Sequence, residues 1–507
     1  MTDPVSEAPA ILHNRWSSDD PAEVHTVYDP CTGSPLASVR GAGVEQVDEA
    51  VRTAHAAQAR WRERDPRERA DVLRAASLTL RDHIEEVAAL ESSDNGKPLS
   101  QARMDVESAT KVLDMYASFG EDLPSSVRDA GDVMDLNVLE PFGVIAGVVP
   151  FNWPPLTTVG KIAPSLITGN AVVIKAPEQA PLSVLRAADI VASVVPDDVV
   201  HVLLGGPATG AHLVSHPTVG KISFTGSPAT GMKILEATAP LLTPTLMELG
   251  GKNPLVIFDD ADLEHAIRWA FDGAFFNQGE ACSAASRVLV QRSVYDRVAE
   301  RLATGVRRLR LGRSTDPATH LGPLAAAELR DRVQSYIDLG VEEGATVVAQ
   351  GDLPSDPELA GGYFVRPTIL GDVTADMRVA NEEIFGPVVC IMPFDDEDEA
   401  LRIANGTDFG LVGAVFTSDA DRQMRVARGI RAGVVMVNNY NRALWGTPFG
   451  GIGHSGFGRE YSRMTLAEYG FNKCIRLPNG APAQPRWPVP AEVLATPDIG
   501  GAGLGAR

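Results

Sequence analysis

The stretch NVLEPFGVIAGVVP, residues 137–150, decides the fold. Its core, VIAGVV over 144–149, is an unbroken apolar run. Such a run predicts a strand buried on both faces of a parallel sheet. The turn PFNWPP follows, and then strand and helix patterns alternate. A helix is predicted over 158–168, a strand over 171–175, a helix over 181–195 and a strand over 199–203. A further strand over 219–224 leads to a helix that begins at 231. This alternation predicts a doubly wound α/β domain. A second α/β unit begins near Glu248, with strands over 254–258, 287–290, 346–349, 388–393, 411–416 and 433–437. Its helices are predicted over 263–276, 293–308 and 323–339. Upstream, residues 24–39 read as two short strands around a PCTG turn, and 44–118 as amphipathic helices. There Val47, Ala50, Val51 and Ala54 mark one apolar stripe.

A chain of 507 residues exceeds what one hydrophobic core supports, so two or three domains are expected. The formal net charge of −21 opposes a nucleic-acid or anionic-membrane partner. The opening MTDPVSEAPA is acidic and lacks the apolar centre of a signal peptide. No run of 18 apolar residues is present, so no membrane partner is expected and the cytoplasm is the expected location. The four cysteines, Cys31, Cys282, Cys390 and Cys474, form no CxxC pair. Neither a disulfide framework nor a metal site is expected.

Cys282 sits among Gly279, Ala281, Ser283, Ala284 and Ala285, before the apolar run 287–290. Small neighbours leave room around a sulfur, which suits a nucleophile and equally an inert buried thiol. FTGSPATG (224–231) follows a strand and opens a helix. It is either a phosphate-receiving turn or an ordinary strand–turn–helix junction. Lys175 and Glu178, at a strand end, can hold ribose hydroxyls or form a surface ion pair. Asn152 caps its turn or aims an amide N–H at a developing oxyanion. Glu248, before the Gly250–Gly251 turn, is a general base or a solvated strand-end acid.

Taken together these segments resemble the aldehyde dehydrogenase superfamily in its hydrolytic, NAD(P)-dependent branch. The matching motifs are PFNWP (150–154), KAPE (175–178), FTGSPATG (224–231), MELGGK (247–252), NQGEAC (277–282), EEIFGPV (382–388) and PFGG…SGFGRE (448–460). They run in family order through residues 25–475. The resemblance implies that Cys282 is the nucleophile, Glu248 the general base and Asn152 the oxyanion donor. It implies a proton relay through Glu460 and Lys161. It implies that Lys175 and Glu178 hold the adenosine ribose, and that Gly226, Ser227 and Gly231 form the pyrophosphate turn. Glu383 and Phe385 then position the nicotinamide end.

The implied reaction oxidises an aldehyde to its acid through a cysteine thioester. NAD is the expected cofactor, with NADP as the alternative, because Glu178 opposes a 2′-phosphate. The implied fold is α/β, with a doubly wound cofactor domain (1–122 and 142–247) and an α/β catalytic domain (248–445). A small oligomerisation element (123–141 and 468–490) implies a homodimer or homotetramer. Residues 446–467 form a substrate-site loop and return segment, and 491–507 a flexible tail. A coenzyme A-acylating enzyme and a non-catalytic binding protein are the alternatives, and Glu248 argues against the first.

Several positions depart from the family pattern. Glu280 replaces a glutamine two residues before the nucleophile, where a carboxylate raises a thiol pKa unless it points away. GGIGHSG (450–456) lacks the usual tyrosine and lysine. Gly160 stands where many members carry a bulky aromatic, which predicts a widened substrate tunnel. Trp153, Phe276, Trp445 and Phe449 would keep that tunnel apolar and aromatic, for an apolar or aromatic aldehyde. Arg442 is expected to face solvent, with a carboxylate-reading position at the tunnel mouth as the alternative. Cys390 and Cys474 are read as structural.

Overall fold

The computed structural model describes residues 11–12, 15–20, 23–120, 122–442, 444–480, 487 and 490–494. The opening MTDPVSEAPA and the tail from 495 lie outside the described residues. The chain divides into two units. One comprises Met1–Leu123 and Glu140–Phe471, the other Pro124–Leu139 and Asn472–Arg507.

The strand read from the opening stretch is Val144–Val148, whose first four residues are buried. It lies inside a six-stranded sheet of the larger unit. The order is Gly456–Phe457, Thr245–Glu248, Val219–Thr225, Val144–Val148, Ala171–Lys175, Val200–Leu203. All neighbours are parallel except the first pair. A seven-stranded sheet runs Thr346–Gln350, Thr368–Gly371, Val388–Phe394, Arg287–Gln291, Pro254–Ile257, Val412–Phe416, Val434–Val437. Only its first pair is antiparallel. Helices Val44–Trp61, Pro66–Asp82, Ile84–Asn95 and Leu99–Ser118 account for the amphipathic region. The smaller unit holds a three-stranded sheet built from Ser126–Asp129, Val133–Pro141 and Gly470–Pro478, the latter two each ending within the larger unit's bounds.

Local chemistry sets the boundaries. The helix predicted over 158–168 runs from Pro154 to Ile167, because Pro154 and Pro155 take its first positions. Proline is tolerated there, where its missing N–H would lack a helical partner anyway. Every residue of this helix is buried. The helix predicted from 323 starts only at Ala327. Leu324 gives its N–H to the Tyr363 carbonyl and Ala325 gives its own to Glu280 Oε1, so neither is available to a helix. Helices Glu397–Ala404 and Ala420–Gly429 go unpredicted, although Asp396 and Asp419 cap them through side-chain acceptors. Cys474, read as structural, is exposed, and its Sγ lies 2.7 Å from Asp135 Oδ1.

The antiparallel edge pair ties the C-terminal glycine-dense loop to the strand carrying Glu248, with Glu248 opposite Gly456. Gly456 has φ +95°, and a Cβ there would lie 2.0 Å from the Met247 carbonyl oxygen. Gly456→Ala is therefore expected to destabilise the protein by about 1–3 kcal/mol. Denaturant unfolding followed by tryptophan fluorescence checks this, and an unchanged midpoint would contradict it.

Candidate active site

In a parallel sheet, side chains placed just past the carboxyl ends of strands share one edge. Asn152 follows strand Val144–Val148, Lys175 ends the next, Gly226 and Ser227 follow Val219–Thr225, and Glu248 ends Thr245–Glu248. Against that edge stands a cavity of about 410 Å³. Cys282, Asn152 and Glu248 all line it. Thr225, Gly226, Ser227, Glu383 and Phe385 line it as well, and so do Trp153, Phe276, Trp445 and Phe449.

Cys282 lies in a loop held by hydrogen bonds to the carbonyls of Glu280, Cys282, Ser283 and Ala284. Asn152 Nδ2 donates to the Glu280 carbonyl at 2.9 Å, and Asn277 Nδ2 donates to it at 3.0 Å. Asn253 Nδ2 donates to the Cys282 and Ala284 carbonyls, both at 2.8 Å. The Tyr440 hydroxyl donates to the Ser283 carbonyl at 2.9 Å. Asn277 and Gln278 hold left-handed φ values of +53° and +55°. Non-glycine residues keep such conformations only where surroundings over-determine them, and such sites cluster around active centres. Burial pushes the Cys282 thiol up, and the Glu248 and Glu383 charges add to the rise. The backbone N–H groups of Ser283 and Cys282 oppose it.

The turn carrying Asn152 is clamped from behind. Lys97 Nζ donates to the Asn152 carbonyl and to Asp105 Oδ2, both at 3.0 Å, and also contacts Glu91. Its ammonium lies 4.6 Å from the Trp153 ring centroid. Lys97, Glu91 and Asp105 are all buried. Asn95 Nδ2 fixes the preceding Phe151 carbonyl at 2.8 Å.

Glu248 is buried, and neither carboxylate oxygen has a hydrogen-bond partner among the described residues. Burial and the neighbouring Glu460 hold its pKa well above the ordinary carboxylate range, against the pull of Lys161 and Arg459. Lys161 Nζ donates to Glu460 Oε1 at 2.9 Å, to Thr225 Oγ1 at 2.9 Å and to Ser223 Oγ at 3.0 Å. Gly450 makes the approach to Glu248 possible, since a Cβ there would lie 2.5 Å from Glu248 Oε1.

The cofactor candidates form a path away from the thiol. Glu383 Oε1 accepts from the Gly251 N–H at 2.9 Å, and burial pushes this carboxyl up to about 7. Phe385 packs edge-on against Phe151. Ser227 caps helix Pro228–Thr238 by accepting from the Thr230 N–H. Gly226 and Gly231 also have packing reasons to be glycine, since a Cβ would meet Phe224 at 2.5 Å and Leu249 at 2.9 Å. Lys175 and Glu178 lie outside the cavity lining and pair with each other at 3.1 Å. The helix N-terminus at Ser227, the Lys175–Glu178 donor–acceptor pair at a strand end and the Phe385 ring in the same cavity as Cys282 fit a dinucleotide laid along the strand ends.

One open alternative is decided and two expectations need correction. Glu280 does not point at the thiol. Its Oε1 accepts from the Ala325 N–H at 3.2 Å, away from the cavity, and burial pushes its pKa up to about 8. Gly160 does not widen the tunnel. It is absent from the cavity lining, and a Cβ there would lie 2.8 Å from the Tyr461 ring. Arg442 does not face solvent. It lines the cavity, donates to Asp272 Oδ2 at 2.6 Å and lies 5.3 Å from the Phe276 centroid. Tyr461 and Lys97 were not singled out from the sequence. The signals were present, a tyrosine directly after Glu460 and a lysine in DNGKP (94–98). Only burial shows what they touch.

The profile of the "Aldehyde dehydrogenase family" matches residues 16–475. The aldehyde dehydrogenase citD of Monascus ruber is 45% identical over 480 residues, covering 94% of this chain and 96% of that protein. A betaine aldehyde dehydrogenase of Agrobacterium fabrum is 40% identical, covering 89% of this chain and 92% of its own. The crystal structure of a betaine aldehyde dehydrogenase from Staphylococcus aureus in complex with NAD+ superposes with a TM-score of 0.88. It is 34% identical, with 92% of this chain and 93% of that one covered.

Two outcomes follow from the buried charges. Lys97→Met leaves two carboxylates unpaired in the interior, so it is expected to cost about 3–5 kcal/mol, read from denaturant unfolding. For Glu280 the folded pKa of about 8 exceeds the ordinary 4.5. Its protonated form is thus favoured by folding, and that contribution is full below the unfolded pKa and is lost as pH rises through about 8. The melting temperature of Glu280→Gln should therefore gain on the wild type between about pH 5 and about pH 9. A constant difference across that window would contradict the assignment.

Proposed function

Starting from the aldehyde dehydrogenase family, to which this chain belongs, we propose how its own residues divide the work of oxidising an aldehyde to its acid with NAD+. The observation that carries the reading is the single cavity in which Cys282, Asn152 and Glu248 meet both the cofactor-side residues and the aromatic wall. Cys282 Sγ attacks the aldehyde carbon, and the carbonyl oxygen gains the electron pair. The Asn152 amide and the Cys282 N–H receive that charge. Bound NAD+ supplies the hydride acceptor. The acyl group then remains on Cys282 as a thioester. Glu248 takes a proton from water, whose oxygen attacks the thioester carbon, and the C–S bond breaks to release the acid and the Cys282 thiolate. Glu460 and Lys161 receive the proton behind Glu248, where the Glu460–Lys161 contact of 2.9 Å supports a relay.

Lys175 and Glu178 hold the adenosine ribose, with Gly226, Ser227 and Gly231 at the pyrophosphate and Glu383 and Phe385 at the nicotinamide end. Residues 1–122 and 142–247 serve the cofactor, and 248–445 the chemistry. The smaller unit, which exposes Val127, Ile475 and Leu477, joins copies into a homodimer or homotetramer. Among the described residues no helix is long and apolar enough to cross a membrane, and we place the enzyme in the cytoplasm.

The substrate is an uncharged apolar or aromatic aldehyde. Trp153 and Phe276 stack at 5.8 Å with an interplanar angle of 21°. Two relatives carry the name betaine aldehyde dehydrogenase, and aromatic faces do attract quaternary ammonium. Here the guanidinium of Arg442 already lies over Phe276 and Tyr440, at 5.3 and 5.6 Å. A second cation at those faces would be repelled.

The roles of thiol and base separate in one experiment. Cys282→Ala should bind NAD+ and turn over no aldehyde. Glu248→Gln should still form the thioester and release about one NADH per site in a burst, then stall. Rapid mixing followed by intact-protein mass spectrometry reads both, and an absent acyl adduct at every pH would remove Glu248 from the deacylation step. For the cofactor, Glu178→Gln should raise kcat/KM for NADP+ relative to NAD+, because a carboxylate repels the 2′-phosphate. An unchanged ratio would assign NAD+ preference elsewhere.

A further inference from the structure

Gly160 lies in the middle of helix Pro154–Ile167, a place where glycine weakens a helix. The structure gives the reason. A Cβ at residue 160 would lie 2.8 Å from Tyr461 Cε1, 2.8 Å from its hydroxyl oxygen and 3.1 Å from Cζ. Real Cβ atoms do not approach ring atoms so closely, so the ring and the glycine occupy one space between them.

Tyr461 cannot easily yield. Its N–H donates to the Tyr116 hydroxyl at 3.0 Å, and its carbonyl accepts from the Gly446 N–H at 3.0 Å. Its ring packs against Trp445 at 5.2 Å and Phe449 at 6.3 Å. Its φ of +56° is rare for an aromatic residue, and only a closely fitted setting keeps it. The ring lines the same cavity as Cys282.

We propose that Tyr461 is the specificity-determining wall of the substrate pocket, interlocked with Gly160 so that the pocket admits a flat single-ring aldehyde and excludes broader ones. The inference rests on the proposed function and deepens it. Where Tyr461 stands, the width of the pocket is set by its ring, in the segment following Glu460, and not by residue 160, which is absent from the lining. Any side chain at residue 160 pushes the tyrosine ring into the cavity. Any smaller residue at 461 opens space over the glycine.

The test is a double-mutant cycle on the full-length enzyme, with propanal, benzaldehyde and 2-naphthaldehyde as probes. Tyr461→Leu should raise kcat/KM for 2-naphthaldehyde relative to benzaldehyde by about tenfold or more. Gly160→Ala should lower kcat/KM for benzaldehyde about tenfold and for propanal less than about threefold. In the Tyr461→Leu background the same Gly160→Ala change should cost less than about threefold. Additive effects, or a 2-naphthaldehyde to benzaldehyde ratio unmoved in Tyr461→Leu, would overturn the interlock.

If Gly160→Ala alone does not fold, the double variant should recover folded protein that binds NAD+, and failure to recover would overturn the proposal equally. A wild type that makes no NADH from any probe would count against the proposed function. The interlock would then still be read from the melting temperatures of the four proteins, where additivity again overturns it.

Discussion

The site depends first on one buried ammonium. Lys97 reaches Glu91 on one helix, Asp105 on the next and the carbonyl of Asn152 in the turn after the central strand. A charge removed from water is tolerated only when paired and hydrogen-bonded. The two carboxylates and the carbonyl meet that demand, and the Trp153 face adds a fourth contact. Because the demand is strict, the geometry is strict. Helices Ile84–Asn95 and Leu99–Ser118, the Asn152 turn and the Trp153 ring are thereby referred to one point. The same turn passes the constraint on, since Asn152 Nδ2 holds the Glu280 carbonyl two residues before the nucleophile. Donor and nucleophile are thus placed relative to each other through a short chain of hydrogen bonds.

The electrostatics around Cys282 are those of a site that holds protons. Burial raises the thiol, Glu248 and Glu383 alike, and the charges of Glu248 and Glu383 further penalise a thiolate at Cys282. A thiolate therefore forms only when its proton has somewhere to go and its charge has partners. The N–H groups of Cys282 and Ser283 supply part of that support. Among the described residues Glu248 has no hydrogen-bond partner, which suits the role proposed for it. The Glu460–Lys161 pair stands behind it as the proposed next station. Glu280, which sequence alone places beside the thiol, is turned to the Ala325 N–H and does not join this set.

What was legible in the sequence was what depends on local pattern. The unbroken run 144–149 gives a buried parallel strand because such strands need apolar residues on both faces. The motifs around Cys282, Glu248 and Asn152 announce themselves by residue type and spacing. What stayed hidden depends on contacts between distant segments. Gly160 looks like added space until Tyr461, 301 positions later by number, is seen to fill it. Arg442 looks like a surface charge until Asp272 and Phe276 are found around it. Helices Glu397–Ala404 and Ala420–Gly429 had readable aspartate caps, but they are short and bury few residues, Ala400, Ile403 and Ala404 in the first and Val426 in the second.

The C-terminal loop carries a consequence for assembly. Strand Thr245–Glu248 is four residues long, and its outer neighbour is the two-residue strand Gly456–Phe457. Gly450 lies against Glu248, Ser455 Oγ donates to the Gly250 carbonyl at 2.7 Å, and Glu460 faces Lys161. The base is therefore shaped by residues 450–460, about 200 positions downstream, and short local pairing cannot hold it alone. Contacts so distant in sequence form late, because loop closure must precede any gain from them. The two sheets can establish most of their parallel pairs before this closure. Glu248, the glycines packed around it and Tyr461 come together only when the C-terminal segment docks. The residues that finish the base and those that bound the substrate thus belong to one stretch of chain, and a change in either is felt by both.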